Sequence, residues 1–575
     1  MSMKIEGIAA SKGIAIARAY LLENSELMIK KRKIKDIDAE INILEKALEK
    51  TISDLEEIKN KANRELGEDK SRIFLAHQLV LKDPEFIKMV KDKIKKEHLN
   101  AEFAINEVAT GFIKEFEKMK DHYFIERATD IYDVTKRVLS NILGRDYLDL
   151  RTISGEVIIV AKDLTPSETI QLDKKYIKGF VTDLGGITSH SSILARSMEI
   201  PAVVGVKDVF KKVTNNALLI LDGNTGEVIV NPSTDVIREY QIKQKKYEQH
   251  KVMLRRLIDK PTITRDKHVV KLVANISSPD EVRDVIANGG EGIGLYRSEF
   301  LFLGAEKLPT EEEQFMAYKS VLQQMRGKPV VVRTLDIGGD KELSILNLPK
   351  ELNPFLGFRA IRLTLDKQDI FRVHLRALLR ASSYGNLKIM FPMIATLNEL
   401  RQAKQILIEE KNKLVEEGGE VSDTIEVGMM IEIPSAAILA DQFAKEVDFF
   451  SIGTNDLIQF MMAADRMNDK VSYLYQPYNP AILRLLDMVI KAAHKEGKWV
   501  GMCGEMAKDP IAIPLLLGMG LDDFSMSPSS ILSVREQLAT LSKAEAAKIL
   551  DKVLSMATTD EVIKLVKDRF RILDY

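Results

Sequence analysis

Between residues 262 and 575, short runs of β-branched, aromatic and methionine residues recur among longer stretches of helical periodicity. The runs are VVKLVANI (269–276), GIGLYR (292–297), PVVVRTLD (329–336), LKIMFPMI (387–394), VGMMIEIP (427–434), DFFSIGTND (448–456) and WVGMCGE (499–505). Most are apolar at consecutive positions rather than at alternate ones, which is the mark of strands buried on both faces. Strands separated by helices return parallel to one another, and at this length the alternation predicts a (β/α)8 barrel. An eighth strand is then required. The segment near 355–365, FLGFRAIRLTLD, is the candidate, and its pattern fits a strand or a helix.

The first half has a different texture. Residues 4–20 carry glycines and short apolar groups, as a strand-rich entry does. From Ile34 the apolar residues Ile37, Ile41, Leu44, Leu48, Leu55 and Ile58 fall mostly at three- and four-residue steps, a single helical stripe with charges opposite. Ile87, Val90 and Ile94 form a second stripe. Val108, Phe112 and Phe116 form a third, and Ile131, Val134, Val138 and Ile142 a fourth that stops at Gly144. Strand-type runs resume at 156–161, 178–184, 201–206, 217–223 and 227–231. The expected organisation is a multidomain α/β chain. Residues 1–20 and 147–231 form an α/β domain, and 21–146 an inserted helical bundle. A charged linker helix over 232–261 is closed by Pro261, and 262–575 is the barrel.

Composition narrows the function. The chain has 575 residues, enough for about three units at ~100–200 residues each. A formal net charge of −1 gives no global attraction to nucleic acid or to an anionic membrane. No apolar run approaches the ~18 residues of a membrane span. The opening MSMKIEGIAASKGIAIARAY lacks an apolar core followed by a cleavage site, so no secretory leader is expected. One cysteine, Cys503, excludes an internal disulfide framework and a polycysteine zinc site, and it suits a reducing cytoplasm.

The polar residues of the second half cluster at strand ends. Arg297 ends one strand and Arg333 lies late in the next. Glu432 is near the end of 427–434, Asn455 and Asp456 close SIGTND, and Cys503 and Glu505 close WVGMCGE. In a barrel these ends converge on one mouth, where the chemistry of this fold is found. Arginines bind phosphate and carboxylate by two-bond forks. Two carboxylates with substrate phosphate suit Mg2+, which keeps few protein ligands. The implied ligand is a small phosphate-bearing anion.

A second constellation lies in DLGGITSHSSILARSMEIPAVVG (183–205). Gly185 and Gly186 allow a tight turn after a strand, and Ser189 or Ser191 can cap the helix that follows. His190 then sits at a helix N-terminus, where free N–H groups stabilise phosphate and disfavour imidazolium. A neutral ring there is a nucleophile suited to phosphoryl transfer. The seven other histidines (His77, His98, His122, His250, His268, His374 and His494) have no comparable setting and are expected to be structural or at the surface.

These motifs carry a family resemblance. GGITSHSSILARS resembles the phosphohistidine signature of enzymes that use phosphoenolpyruvate. GIGLYRSEFLFLGAEKLPTEEEQF, VVVRTLDIGGDK, NPFLGFRAIRL, MIEIPSA, FFSIGTNDLIQFMMAADR and GMCGEMA resemble the enzyme I family of the bacterial sugar phosphotransferase system, along essentially the whole chain. The resemblance implies a cytoplasmic, Mg2+-dependent homodimer that moves the phosphoryl group of phosphoenolpyruvate to His190. It then passes the group to the phosphocarrier protein HPr, which docks on the helical insertion. It implies Cys503 as the general acid that protonates the enolate. Arg297, Arg333, Lys341, Asn455, Arg466 and Arg359 would bind substrate, Glu432 and Asp456 the metal, and Thr169 would hydrogen-bond the imidazole of His190. With nucleophile and barrel on separate domains, 233–260 would act as a hinge region. The alternatives are a pyruvate phosphate dikinase or phosphoenolpyruvate synthase, for which a large nucleotide-binding domain is lacking, and an inactive HPr-binding regulator.

Overall fold

The computed structural model describes residues 2–22, 29–66, 68–118, 122–144, 153, 155–169, 172–186, 189–303, 307–339, 346, 348, 351–466, 468 and 470–573. The chain forms two compact units, Met1–Lys251 and Val252–Tyr575.

The first unit opens with β1 (Met3–Glu6), β2 (Ile8–Ser11) and β3 (Ile14–Leu21). Five helices follow: α1 (Ile37–Leu66), α2 (Glu68–Lys82), α3 (Pro84–Glu97), α4 (Ala101–Lys118) and α5 (His122–Ile142). Then come β4 (Val157–Ala161), α6 (Pro166–Thr169), β5 (Ile177–Thr182), α7 (His190–Ser197), β6 (Ala202–Val204), α8 (Val209–Lys212), β7 (Leu218–Asp222), β8 (Glu227–Val230) and α9 (Thr234–Arg255). The eight strands make one mixed sheet in the order β1-β8-β7-β3-β4-β5-β6-β2. Its central strands β3, β4, β5 and β6 run parallel. The parallel run is what sets a strand end against a helix start at Thr182–His190.

Two apolar layers flank this sheet. Ile159, Ala161, Phe180, Ala202 and Val204 share one core with Leu44, Leu55, Phe74, Val90, Ile105 and Val134 of the helices. Ile158, Val160, Val181 and Val203 point the other way, onto Val209 and Val213. The alternation along each strand is the period of two that a sheet covered on both faces imposes. The charged helix α9 is anchored to this unit: Tyr240 packs on Ile14, Ile220 and Ile229 and donates its hydroxyl to Glu227 at 2.8 Å.

The second unit is a closed, all-parallel barrel of eight strands. They are β9 (Lys271–Ile276), β10 (Ile293–Arg297), β11 (Val330–Arg333), β12 (Leu387–Phe391), β13 (Glu426–Ile431), β14 (Phe449–Ile452), β15 (Trp499–Met502) and β16 (Asp523–Met526). Six of the seven runs found in the sequence contain one strand each, and the seventh, 427–434, covers all of β13 but its first residue, Glu426. The eighth is β16, not the segment near 355–365, which forms a 3-10 turn at Pro354–Leu356 and a helix at Ile361–Asp366. β16 escapes pattern reading because Asp523 and Ser525 interrupt its apolar residues, and both are buried.

The barrel is packed, not hollow. Phe449 and Trp499 stack with centroids 4.4 Å apart, and they share a core with Leu295, Val331, Met390, Met430 and Cys503. Gly428 makes room for that stack, since a Cβ there would meet the Phe449 ring at 2.6 Å. Lys388 lies over Trp499 at 4.9 Å, and the Trp499 indole donates to Glu426 at 2.8 Å. The strand N-termini are thus plugged, and chemistry is confined to the other end.

One floor residue gives a stability prediction. Burial pushes the Asp523 carboxyl up to about 6, although Lys271, 3.9 Å away, pulls it down. A raised carboxyl adds stability below its unfolded value of 3.8, and that stability is lost as pH rises through about 6. Asp523→Asn is therefore expected to stabilise the protein at pH 7.5 by an amount of order 1–3 kcal/mol. The gain should vanish near pH 3.5; equal melting shifts at both pH values would show that ionisation at this position is not the cause.

Candidate active site

In the second unit the strand C-termini carry the polar groups. Arg333 ends β11 and is buried, donating from Nη2 to Glu299 Oε1 at 2.5 Å and pairing through Nη1 with Asp336 Oδ2 at 3.0 Å. Arg359 precedes the helix at 361–366. Its Nε donates to Asp336 Oδ1 at 2.8 Å, and its Nη2 donates to Asp336 Oδ2 at 3.0 Å and to Asp456 Oδ2 at 2.9 Å. Burial opposes the charge on both arginines. The neighbouring carboxylates outweigh it and hold both guanidinium groups protonated, above their ordinary range. Arg466 Nη1 stands 3.9 Å from Asp456 Oδ1. Asn455 accepts the Glu505 N–H at 3.2 Å, tying the loop after β14 to the loop after β15.

Glu432 follows β13 and is 1% exposed. Its Oε1 accepts the Met393 N–H at 2.6 Å. Burial first, then the Asp456 and Asp336 charges, hold its carboxyl well above the usual carboxylate range against the pull of Arg359 and Arg333. Such a carboxyl favours a proton, or another cation in its place, on its oxygens. Backbone strain gathers here too. Ala360, Met393 and Ala463 have φ of 53°, 56° and 50°, a region that non-glycine residues avoid. Ala360 follows Arg359, Ala463 lies three residues before Arg466, and Met393 gives its N–H to Glu432, so the strain sits at the site.

Cys503 is the residue after β15 and is buried, with Sγ 3.8 Å from the Ile452 carbonyl. Burial pushes its thiol up; a Ser451 hydrogen bond and the Arg333 and Arg297 charges pull it down, and Glu432 pushes it up again. The balance is a thiol that keeps its proton at neutral pH. Asn275 and Ser525 fix its backbone: Asn275 Nδ2 donates to the Cys503 carbonyl at 3.0 Å, and the Ser525 hydroxyl donates to Asn275 at 2.6 Å. Arg297 ends β10 and is half-buried. The barrel thus gathers Arg297, Arg333, Arg359, Glu432, Asn455, Asp456, Arg466 and Cys503 at one end. Lys341 lies outside the described residues.

In the first unit His190 occupies the first position of α7, with Ser189 as N-cap. The Ser189 side chain accepts the Ser192 N–H at 3.4 Å and donates to Ser192 Oγ at 2.9 Å, while Ser192 donates to the Gly186 carbonyl at 2.7 Å. Of the two serines offered by the sequence, Ser189 is thus the cap. Gly185 has φ of +105°, which only glycine adopts readily, and a Cβ on Gly186 would face open space. Thr169 is fully buried at the end of α6, and its hydroxyl donates to the Thr165 carbonyl at 2.8 Å. That hydroxyl proton is therefore committed to its own helix, and only its lone pairs remain for a neighbour.

Sequence reasoning missed Asp336, Glu299 and Ser451. Asp336 and Glu299 are fully buried acids beside Arg333, and Ser451 is a buried hydroxyl beside the thiol. The available signal was two acids placed just beyond strands that end in arginine.

Comparison with known proteins agrees with this arrangement. Residues 251–543 match the model of the PEP-utilising enzyme, PEP-binding domain, 6–127 that of the PEP-utilising enzyme, N-terminal, and 153–226 that of the PEP-utilising enzyme, mobile domain. The phosphoenolpyruvate-protein phosphotransferase of Priestia megaterium is 63% identical over 572 residues, covering 100% of both chains. Those of Geobacillus stearothermophilus and Bacillus subtilis (strain 168) are 62% and 60% identical over 568 residues, covering 99% of this chain and 98% and 100% of theirs. This chain belongs to the phosphoenolpyruvate-protein phosphotransferase family. As a member, it is a phosphotransferase built from PEP-utilising modules, with the PEP-binding module coinciding with the barrel and the mobile module with the β4–β7 region that carries His190. Among the described residues no helix is long and apolar enough to cross a membrane.

Proposed function

We propose that the chain transfers the phosphoryl group of phosphoenolpyruvate to His190 with release of pyruvate. It then passes the group to a histidine of the phosphocarrier protein HPr, in the cytoplasm and as a homodimer. The observation that supports this most is the mouth of the barrel, where paired arginines, two buried carboxylates and a protonated thiol meet at the strand ends.

Glu432 and Asp456 would hold Mg2+. No group of three or more His, Cys, Asp or Glu side chains among the described residues forms a metal site. Two carboxylates suffice for Mg2+ when substrate oxygens complete the shell. The fit is supported by Asp456 Oδ1, which is buried without a hydrogen-bond partner. When bound, the ion would neutralise charge that develops on the substrate oxygens. Arg297, Arg333 and Arg466 would bind the phosphate and carboxylate, with Asn455 donating to the phosphate and Lys341 adding charge. Arg359 has only Nη1 to offer the anion, since its other nitrogens are engaged by Asp336 and Asp456.

A neutral His190 attacks phosphorus, forming an N–P bond as the bridging O–P bond breaks. The electrons of that bond form the enolate of pyruvate. Cys503 gives its thiol proton to the terminal carbon, and the thiolate regains a proton from solvent. The arginines, fixed before substrate arrives, supply most of the electrostatic stabilisation.

The test is incubation with radiolabelled phosphoenolpyruvate and Mg2+, with and without HPr. Acid-labile label on His190 that chases onto HPr, with one pyruvate per label, is the expected result. A folded protein that takes no label would overturn the proposal. Within this scheme Arg297→Ala is expected to weaken phosphoenolpyruvate binding about 10- to 100-fold, as loss of a charged hydrogen bond does. Unchanged affinity in calorimetry would remove Arg297 from the site.

A further inference from the structure

We propose that Asp336 is the positioning residue of the barrel mouth: it orients the Arg359 and Arg333 guanidinium groups and, through Arg359, keeps one oxygen of Asp456 available to a divalent cation. This rests on the reading of Glu432 and Asp456 as metal carboxylates.

Asp336 lies three residues beyond the end of β11 and is fully buried. Its Oδ1 takes the Arg359 Nε at 2.8 Å. Its Oδ2 takes the Arg359 Nη2 at 3.0 Å and the Arg333 Nη1 at 3.0 Å. One carboxylate therefore joins two arginines that also lead elsewhere: Arg333 turns its other arm to Glu299, and Arg359 shares its Nη2 between Asp336 and Asp456. The chain Glu299–Arg333–Asp336–Arg359–Asp456 links the connections that follow β10, β11 and β14 into a single ionic network.

The geometry decides what Arg359 can do. A guanidinium free to rotate would meet Asp456 as a two-bond fork and occupy both of its oxygens. Asp336 takes the Nε edge of Arg359, so Arg359 presents only Nη2 to Asp456, on Oδ2 at 2.9 Å. Asp456 Oδ1 is left buried without a hydrogen bond, since Arg466 at 3.9 Å is too far to make one. Arg359 Nη1 and Arg333 Nε are likewise buried without a hydrogen-bond partner. Buried polar atoms are nearly always paired, so three orphans in one network point to ligands. The oxygen suits a cation and the two N–H groups an anion. Asp336 decides which arms of the arginines are used within the protein and which are left for ligand. It touches neither ligand itself, as outer-shell carboxylates that orient a metal site do.

The full-length protein, free of substrate, is titrated with Mn2+ as the probe, with free ion followed by electron paramagnetic resonance. Asp336→Asn keeps the shape but replaces one acceptor oxygen with a donor. It is expected to weaken Mn2+ binding about 10- to 100-fold, the usual effect of losing an outer-shell partner. It should raise KM for phosphoenolpyruvate more than it lowers kcat. Arg359→Lys keeps the charge but cannot reach Asp336 and Asp456 together, so it should reproduce the Mn2+ loss, and it decides the matter if Asp336→Asn does not fold. Asp456→Ala is the control. If Asp456→Ala loses Mn2+ while folded Asp336→Asn and Arg359→Lys bind it like the unaltered protein with unchanged KM, the positioning role is overturned. If Asp456→Ala itself binds Mn2+ normally, the metal assignment is what fails.

Discussion

A His190→Ala variant is expected to take no acid-labile label from phosphoenolpyruvate and to release no pyruvate, while binding phosphoenolpyruvate within about twofold of the unaltered protein. The two halves of this expectation come from different units. His190 begins α7 in the first unit, whereas the arginines and carboxylates proposed to hold substrate close the strands of the barrel in the second. Binding and chemistry should therefore separate cleanly. The local architecture also argues for a full loss rather than a partial one. The neighbouring hydroxyls Ser189, Ser191 and Ser192 are engaged in capping, in a 3.1 Å contact between Ser189 and Ser191, and in bonding to the Gly186 carbonyl. None is a ready substitute nucleophile. Labelling and calorimetry on the same preparation check both halves. A labelled His190→Ala protein would place the phosphoryl acceptor elsewhere. A variant that lost binding as well would show that the barrel is not an independent substrate site.

Much of this architecture is legible in the sequence, for a physical reason. A barrel strand is covered on both faces, so it must be apolar at nearly every position, and a run such as LKIMF or FFSI is hard to mistake. β16 is the exception. It spans four residues, and buried Asp523 and Ser525 interrupt it, so no apolar run marks it. FLGFRAIRLTLD misleads in the opposite way. Its apolar residues Ile361, Leu363 and Leu365 alternate as in a strand, but they pack as a single helical turn and a half beside the mouth.

The polar ends of the strands were legible because a closed parallel barrel leaves their side chains only one place to converge. What the sequence hides is which acids are buried. Glu299 and Asp336 look like ordinary loop carboxylates, and only the fold shows both fully covered against Arg333. Arg359 shows the same limit. Its place in the site follows from the motif, but its commitment to Asp336 and Asp456 is a property of the packed structure. Thr169 is a milder case: a threonine four residues after Thr165 in a short helix can return its proton to that helix, and it does.

Cys503→Ala is expected to lower the rate of pyruvate formation by about 10^2- to 10^4-fold, the range for loss of a positioned general acid. The substrate KM should change little. The reasoning starts from burial. A thiol in water would be partly ionised and would give up its proton to solvent. Here burial pushes the thiol up, and the pull of Ser451, Arg333 and Arg297 does not reverse it. The proton is retained until a stronger base, the enolate carbon, is formed beside it. Packing against Met390, Met430 and Phe449 keeps the sulfur in place and limits water, so solvent is a poor replacement. With alanine the enolate persists and can recapture the phosphoryl group from His190. Rapid-quench labelling should then show phosphohistidine forming and reversing faster than pyruvate appears. Cys503→Ser should recover little, because an alcohol is a far weaker acid than a thiol. Normal pyruvate turnover in Cys503→Ala would mean that the proton comes from another group or from water, and that the buried thiol serves only as packing.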